Sequence, residues 1–265
     1  LIEPVGTLGA DVVLNGDFEQ LGADQILNGD FSQEGVDVII GGDFSNPSDW
    51  TEGNGWSIEN GKATSVGNNL SGSVYQTIPS VVNKTYKVEI EISDYVSGTL
   101  RAINRGNFVN LPQSNGVHTV YLTTSTSSDN FLYLESRPFV GSIDNVSVVE
   151  VGQNWVLTGL VSVGNGVASF VDNGTNLNSS VIQSNAVVAD TNYKVSFDVS
   201  RYVLGGVQIR VGGADAVSDA LSQGVGTYTF YVKSGDSTNF EIKRWGAYPN
   251  FDFDITNITV EEVGQ

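Results

Sequence analysis

The chain has 265 residues, 30 acidic against 12 basic, one His and neither Cys nor Met, for a formal net charge of −18. That balance excludes phosphate backbones and anionic membrane surfaces as partners, because both are bound by Lys and Arg neutralising negative charge. It also excludes a disulfide framework, a thiolate metal site, a thiol nucleophile and a multi-imidazole zinc centre, and no stretch approaches the roughly 20 apolar residues of a membrane span.

The amino end, residues 1–9, has neither the basic region nor the apolar core of a signal peptide. It opens on Leu rather than Met, so the chain is expected to be a processed or excised piece of something longer, which mass spectrometry of the native protein checks. A short repeat follows. Asp11-Val-Val-Leu-Asn-Gly-Asp-Phe18, Asp24-Gln-Ile-Leu-Asn-Gly-Asp-Phe31 and Asp37-Val-Ile-Ile-Gly-Gly-Asp-Phe44 are spaced 13 residues apart. Each is a β-prone run closed by a Gly-Asp-Phe turn, and the spacing suits a strand of about five residues plus a connection.

A longer repeat covers the rest. Tyr86-Lys-Val-Glu-Ile-Glu-Ile-Ser-Asp-Tyr95 returns as Tyr193-Lys-Val-Ser-Phe-Asp-Val-Ser-Arg-Tyr202, Ser73-Val-Tyr-Gln76 as Ser180-Val-Ile-Gln183, and Ile143-Asp-Asn-Val-Ser-Val148 as Ile255-Thr-Asn-Ile-Thr-Val260. Trp50 matches Trp155, and both copies finish on Glu-Val-Gly. Two copies of one module follow. Within them the hydrophobic period is two: Val88, Ile90 and Ile92 alternate with Lys87, Glu89 and Glu91, and Val195, Phe197 and Val199 with Lys194, Ser196 and Asp198. Such alternation marks strands with one wet face. Comparable runs at 117–123, 131–134, 146–151, 228–232 and 240–242 predict further strands, and no amphipathic helix is evident. The expected fold is all-β: two tandem antiparallel sandwiches (36–152 and 153–265) preceded by a strand-rich acidic arm (1–35).

The opening Asn-Gly-Asp-Phe followed by Trp, the central Tyr-Lys-Val strand and the closing Ile-Asp-Asn-Val-Ser-Val strand resemble those of jelly-roll carbohydrate-binding modules of the galactose-binding-like type. The resemblance implies a jelly roll, and modules found in secreted polysaccharide-degrading enzymes, bacterial surface proteins, and phage head fibres, tail fibres and capsid decorations. It also implies a structural calcium ion in the first module, where the matching positions are Asp43 and Asp144. The family's acidic residue after Phe is Ser45 here. In the second module Thr256 replaces Asp144 and there is no Gly-Asp-Phe opening.

Sugar binding on such a fold needs aromatic platforms beside hydrogen-bonding groups. The candidates are Trp56, Tyr95, Arg101, Arg105, Phe108, Arg137 and Phe139 in the first module, and Tyr202, Gln208, Arg210, Arg244, Trp245, Tyr248 and Phe251 in the second. Gln208 and Arg210, two apart on one strand, project from one face. The alternative is that Tyr95, Tyr202, Trp50 and Trp155 are core or edge residues and the arginines solvate a wet face.

No nucleophile elbow, phosphate loop or His-Glu-x-x-His motif occurs. His118 stands alone at a strand start, and the Asp252/Asp254 pair suits solvation or a weak cation contact better than acid–base work. An enzyme is not expected. Residues 1–61 hold twelve acids and no Lys or Arg, so two thirds of the net charge lies at the amino end, on apolar strands that need a partner. That partner is either the first module or a neighbouring subunit's sheet edge.

The expectation is therefore a non-enzymatic virion or surface protein, extracellular or on the virion, most specifically of a phage. It would join other virion or surface proteins, or copies of itself, through its arm and display modules that bind glycans, with no nucleic acid and no membrane insertion. The alternatives are the accessory carbohydrate-binding region of a secreted glycoside hydrolase, or a decoration protein without a ligand.

Overall fold

The computed structural model describes residues 20–67, 72–125, 127–172, 178–218, 224–246 and 250–264, and structural statements concern these residues. Its strands in chain order are β1 (Leu21–Asp24), β2 (Glu34–Asp37), β3 (Thr51–Glu52), β4 (Trp56–Glu59), β5 (Lys62–Val66), β6 (Ser73–Thr77), β7 (Thr85–Asn104), β8 (Asn107–Asn110), β9 (Gly116–Thr123), β10 (Phe131–Val151), β11 (Val156–Thr158), β12 (Val161–Gly164), β13 (Val167–Asp172), β14 (Ser180–Gln183), β15 (Asn192–Leu204), β16 (Val207–Val211), β17 (Ala214–Ser218), β18 (Gly226–Lys233), β19 (Phe240–Arg244) and β20 (Phe251–Val263). Among the described residues there is no α-helix, only one 3-10 turn, Pro47–Asp49, capped by the Asn46 side chain.

The period-two pattern is realised as written: Val88, Ile90, Ile92, Val195, Phe197 and Val199 are all buried, while the residues between them face outward. Every strand pairing is antiparallel. The second sandwich has one sheet ordered β12-β13-β20-β15-β18, with β1 also on β20, and a facing sheet ordered β11-β14-β19-β16-β17. In the first sandwich the corresponding strands run on from one layer to the other. The first half of β7 pairs with β9 and its second half with β8. Likewise β10 pairs first with β6 and then with β5 and β2. Thus β7 does the work of β15 and β16, and β10 that of β19 and β20. Register shifts between Arg137 and Pro138 and between Val140 and Ser142 mark where β10 bends. Two separate apolar cores result, one around Trp50, Ile90 and Leu134, the other around Trp155, Phe197 and Phe253.

The amino-terminal repeats are where the chain departs from expectation. The third repeat opens the first sandwich: β2 lies on the end of β10, with Asp37 opposite Val149. The second repeat, expected in a separate arm, opens the second sandwich instead. There β1 lies on the end of β20, with Asp24 opposite Glu261, and Ile26 and Phe31 enter the second core. The Gly-Asp-Phe opening that seemed absent from the second module is residues 29–31, separated from it in sequence by the whole first module.

The two openings match contact for contact. Asp37 Oδ1 accepts the Val148 N–H at 3.0 Å, and Asp24 Oδ1 accepts the Val260 N–H at 2.9 Å. Gln76 exchanges two hydrogen bonds with the Ile40 backbone, as Gln183 does with Leu27. The Trp50 indole N–H donates to the Gly41 carbonyl at 2.8 Å, and that of Trp155 to the Asn28 carbonyl at 2.9 Å. Val146 N–H reaches the Gly42 carbonyl and Ile258 N–H that of Gly29. Glycine is required at both places, because a Cβ would sit 2.0 Å from the carbonyl oxygen of Val146 or Ile258 respectively. The first sandwich is accordingly nested within the second, between Gln33 and Gln153. Its ends meet: Glu34 is opposite Val151, and Asn154 Nδ2 donates to Gln33 Oε1 at 3.1 Å. Further contacts between the sandwiches are Lys84 Nζ on the Trp155 carbonyl at 3.0 Å and the Tyr121 hydroxyl with Asn165 at 3.1 Å.

Candidate functional site

In each sandwich, the sheet away from the opening strand carries side chains that its core does not use. In the second sandwich the buried residues Val207, Ile209 and Val211 of β16 alternate with Gln208 and Arg210, which share an outward face. Register extends that face into rows: Ser180, Lys243 and Gln208 lie side by side, as do Ile182, Glu241 and Arg210. These residues, with Thr158, Asn178, Arg244 and Gly246, line a depression of about 420 Å³. Arg210 is held by ion pairs to Asp215 at 2.7 Å and Glu241 at 3.3 Å. The guanidinium and carboxylate groups are therefore fixed before any ligand arrives, which limits the ordering cost of recognition.

The same rows in the first sandwich hold different chemistry. Ser73, Glu135 and Arg101 are neighbours, and beside them run Tyr75, Tyr133 and Ile103. Tyr75, Phe131 and Tyr133 form a half-buried cluster of rings with centroids 5.1 to 5.7 Å apart. Burial, and then the Asp129 carboxylate, push the Tyr133 phenol above its usual range. Glu135 is buried between Arg137 at 2.8 Å and Arg101 at 3.6 Å, and the Arg101 guanidinium lies 4.1 Å over the exposed Phe108 ring. One solvent-facing sheet thus joins three aromatic faces to two guanidinium groups and a carboxylate. Sequence reading found Arg101, Phe108 and Arg137 but missed Tyr75, Phe131 and Tyr133. Their signal was the run Phe131-Leu-Tyr-Leu134, in which rings stand at the positions that alternation assigns to solvent.

Other candidates lie elsewhere. Trp56 is 6% exposed, stacks on the buried Phe139 and donates its indole N–H to the Gly72 carbonyl, so it belongs to the core and offers no open ring face. Phe251 is a core residue, and Arg244, which also lines the depression, is buried against it. Tyr95 and Tyr202 play one part twice: each hydroxyl donates to a carbonyl three residues on, Gly98 or Gly205, at 3.0 Å, tying the strand bend. Arg105 binds the Ser80 and Ser127 carbonyls and staples loops. Trp245, half-buried, directly follows β19 next to the depression, with its backbone N–H on the Gly206 carbonyl. Tyr248 lies outside the described residues.

Asp43 and Asp144 do not make a calcium site by themselves. Asp43 Oδ1 accepts both the backbone N–H and the hydroxyl of Ser45, which holds its carboxyl below the usual range. Asp144 Oδ1 accepts the Asn145 N–H. Among the described residues no three His, Asp or Glu side chains come together as metal ligands, whereas calcium takes six to eight oxygens. Asp30 forms the same turn with Ser32, so the Gly-Asp-Phe-Ser segment is a self-bonded turn in both sandwiches.

The Asp252/Asp254 pair and His118 are engaged structurally. Asp252 and Asp254 both bind Arg201, which raises the affinity of its guanidinium for the proton, and His118 Nε2 lies 2.7 Å from the Ser114 carbonyl.

No family model and no curated protein sequence matches the chain. Among solved structures, it is similar to the tandem CBM22-1–CBM22-2 domain of Paenibacillus barcinonensis Xyn10C, at 11% identity and a TM-score of 0.33, covering 87% of this chain and 98% of that one. A Paenibacillus xanthan lyase matches at 17% identity and a TM-score of 0.26 over 82% of this chain and 25% of the lyase. A chain of Sulfolobus Turreted Icosahedral Virus matches at 13% and 0.25 over 81% and 60%. At these scores the fold rests on the chain's own sheets and cores, which form antiparallel β-sandwiches.

Proposed function

We propose that the chain is a non-enzymatic glycan-binding and display protein, extracellular or carried on a virion, and in its most specific form a phage head-fibre, tail-fibre or capsid-decoration component. The observation that carries the binding role is the first sandwich's outer face, where Tyr75, Phe131 and Tyr133 stand beside Arg101, Glu135 and Arg137. Sugar rings present apolar C–H faces and ring-edge hydroxyls, which rings and preset charged groups satisfy together. The equivalent face of the second sandwich, with Gln208, Arg210 and Lys243, is a second and more polar subsite.

The experiment is affinity electrophoresis and a glycan array with the whole chain. Retardation by at least one acidic or neutral polysaccharide, weakened about tenfold or more by Tyr133→Ala and by Arg210→Ala at unchanged melting temperature, supports the reading. Tenfold corresponds to about 1.4 kcal/mol. No binding to any glycan, or binding indifferent to both substitutions, leaves a ligand-free decoration protein as the function.

A further inference from the structure

Among the described residues nine of the twelve bases form ion pairs, and Arg105 is taken up by the Ser80 and Ser127 carbonyls. Lys243 differs. In a chain with 30 acids, its half-buried ammonium has neither a carboxylate nor a hydrogen-bonding partner among the described residues. It stands in the depression of the second sandwich, flanked in register by Ser180 and Gln208, and the Gln208 amide is equally uncommitted among the described residues. Glu241, two positions back on the same face of β19, is held by Arg210 at 3.3 Å instead. The equivalent place in the first sandwich has the opposite charge. Row for row, Ser180, Lys243 and Gln208 correspond to Ser73, Glu135 and Arg101, and there Glu135 is enclosed between Arg137 and Arg101. One row satisfies its charges internally. The other keeps a cation and an amide for a group that the chain does not supply.

On the footing of the glycan-binding role above, we propose that Lys243 and Gln208 bind one anionic substituent, a carboxylate or a sulfate ester, on a glycan that is otherwise neutral. The ammonium has three donors and the amide two, so one anionic oxygen group accepts from both, and charge assistance makes the ammonium contact the stronger. The chain's own charge sets the upper limit on the ligand's. A net −18 repels a densely charged polyanion. A single substituent at contact distance responds instead to the charges within a Debye length of about 8 Å, and the lining of the depression holds Arg210, Lys243 and Arg244 against Glu241.

The test is an amide-resolved titration of the whole chain with methyl glucuronoside, methyl glucoside 6-sulfate and methyl glucoside at constant ionic strength. Saturable shifts at residues 180–183, 207–210 and 241–244 are expected with the glucuronoside, the sulfated glucoside or both, which tells carboxylate from sulfate, and methyl glucoside is expected to bind at least tenfold more weakly. Lys243→Gln is expected to bring the anionic sugars down to the level of methyl glucoside, and Lys243→Arg to retain them. Both variants are expected to keep the melting temperature, since Lys243 is partly exposed and forms no ion pair among the described residues. Equal responses to charged and neutral sugars, silence at these strands, or anion binding that survives Lys243→Gln overturns the proposal. Its failure is separable from that of the glycan-binding role, because retardation by a neutral polysaccharide that Tyr133→Ala abolishes keeps the role while Lys243 stays silent. Dextran sulfate, the densely charged probe, is expected not to retard the chain in affinity electrophoresis, and retardation that falls steeply with salt contradicts the limit on charge density.

Discussion

Phe31→Ala distinguishes a strand that builds the second sandwich from an arm that merely precedes the first. Phe31 is 2% exposed, its ring centre is 5.3 Å from that of Trp155, and it belongs to the core of residues 151–260. Deleting a buried Phe to Ala removes its transfer free energy and leaves a cavity, together about 3–5 kcal/mol. Its backbone is left-handed at φ 53°, and Ala gains no relief there, so the cost is not offset. For a module of this size that corresponds to a fall in melting temperature of roughly 10–20 °C. Scanning calorimetry gives the total, and hydrogen exchange read at residues 155–163 and 251–260 against 86–92 and 143–148 shows which sandwich has loosened. The expected loss is confined to the second. Phe44→Ala is the mirror experiment, because Phe44 packs on Trp50 at 4.9 Å in the other core. The reasoning is refuted if Phe31→Ala costs no more than the ~0.5 kcal/mol typical of a surface change, or if it loosens residues 86–92 instead.

Further outcomes follow from the same contacts. Gly29→Ala is expected to destabilise the second sandwich by several kcal/mol, on the order of a large backbone clash, since its Cβ would meet the Ile258 carbonyl, whereas Gly246→Ala, with open space around it, is expected to be neutral by thermal melting. Trp56→Ala is expected to cost about 3–5 kcal/mol and to leave the glycan affinity of the still-folded fraction unchanged. Asp30 and Asp43 have carboxyls held below their ordinary 3.8, chiefly by hydrogen bonds from Ser32 and Ser45. Their stabilisation is therefore complete above that value and lost as pH falls through the lower folded-state value. Acid titration of Asp30→Asn with Asp43→Asn is expected to show a shallower stability loss below pH 4 than the unsubstituted chain. Chelating calcium is expected to leave the melting curve unmoved, and a drop of several degrees would contradict the account of the Gly-Asp-Phe-Ser turn.

Much of the fold was legible because it rests on local alternation. Val88 to Ile92 and Val195 to Val199 could bury one face only as strands, and the ordered recurrence of Trp, Tyr-Lys-Val and the closing strand exposed two modules. What was not legible is a pairing across 236 positions, Asp24 with Val260. Consecutive elements are neighbours more often than not, so two adjacent repeats were assigned to one arm. The physics that overrides adjacency is hydrogen-bond satisfaction: the closing strand of each sandwich exposes N–H groups that only one Asp-bearing strand can pair. Four of the twelve acids at the amino end have a related origin, since Asp24 and Asp37 serve as acceptors for those groups and Asp30 and Asp43 close turns. For the binding face, strand alternation located Gln208 and Arg210 correctly on a wet face. Residue type alone misled at Trp56, whose large ring was needed by the core, and hid Tyr75, Phe131 and Tyr133, which looked like core residues in a strand with apolar residues on both sides.

The most direct test of the binding account is an amide-resolved titration of the intact chain with the oligosaccharide that the array selects. The account predicts chemical-shift changes along β6, the first half of β10 and the second half of β7, with a weaker set on β14, β16 and β19. Changes confined to β9, β15 or β18, on the opposite sheets, would contradict it.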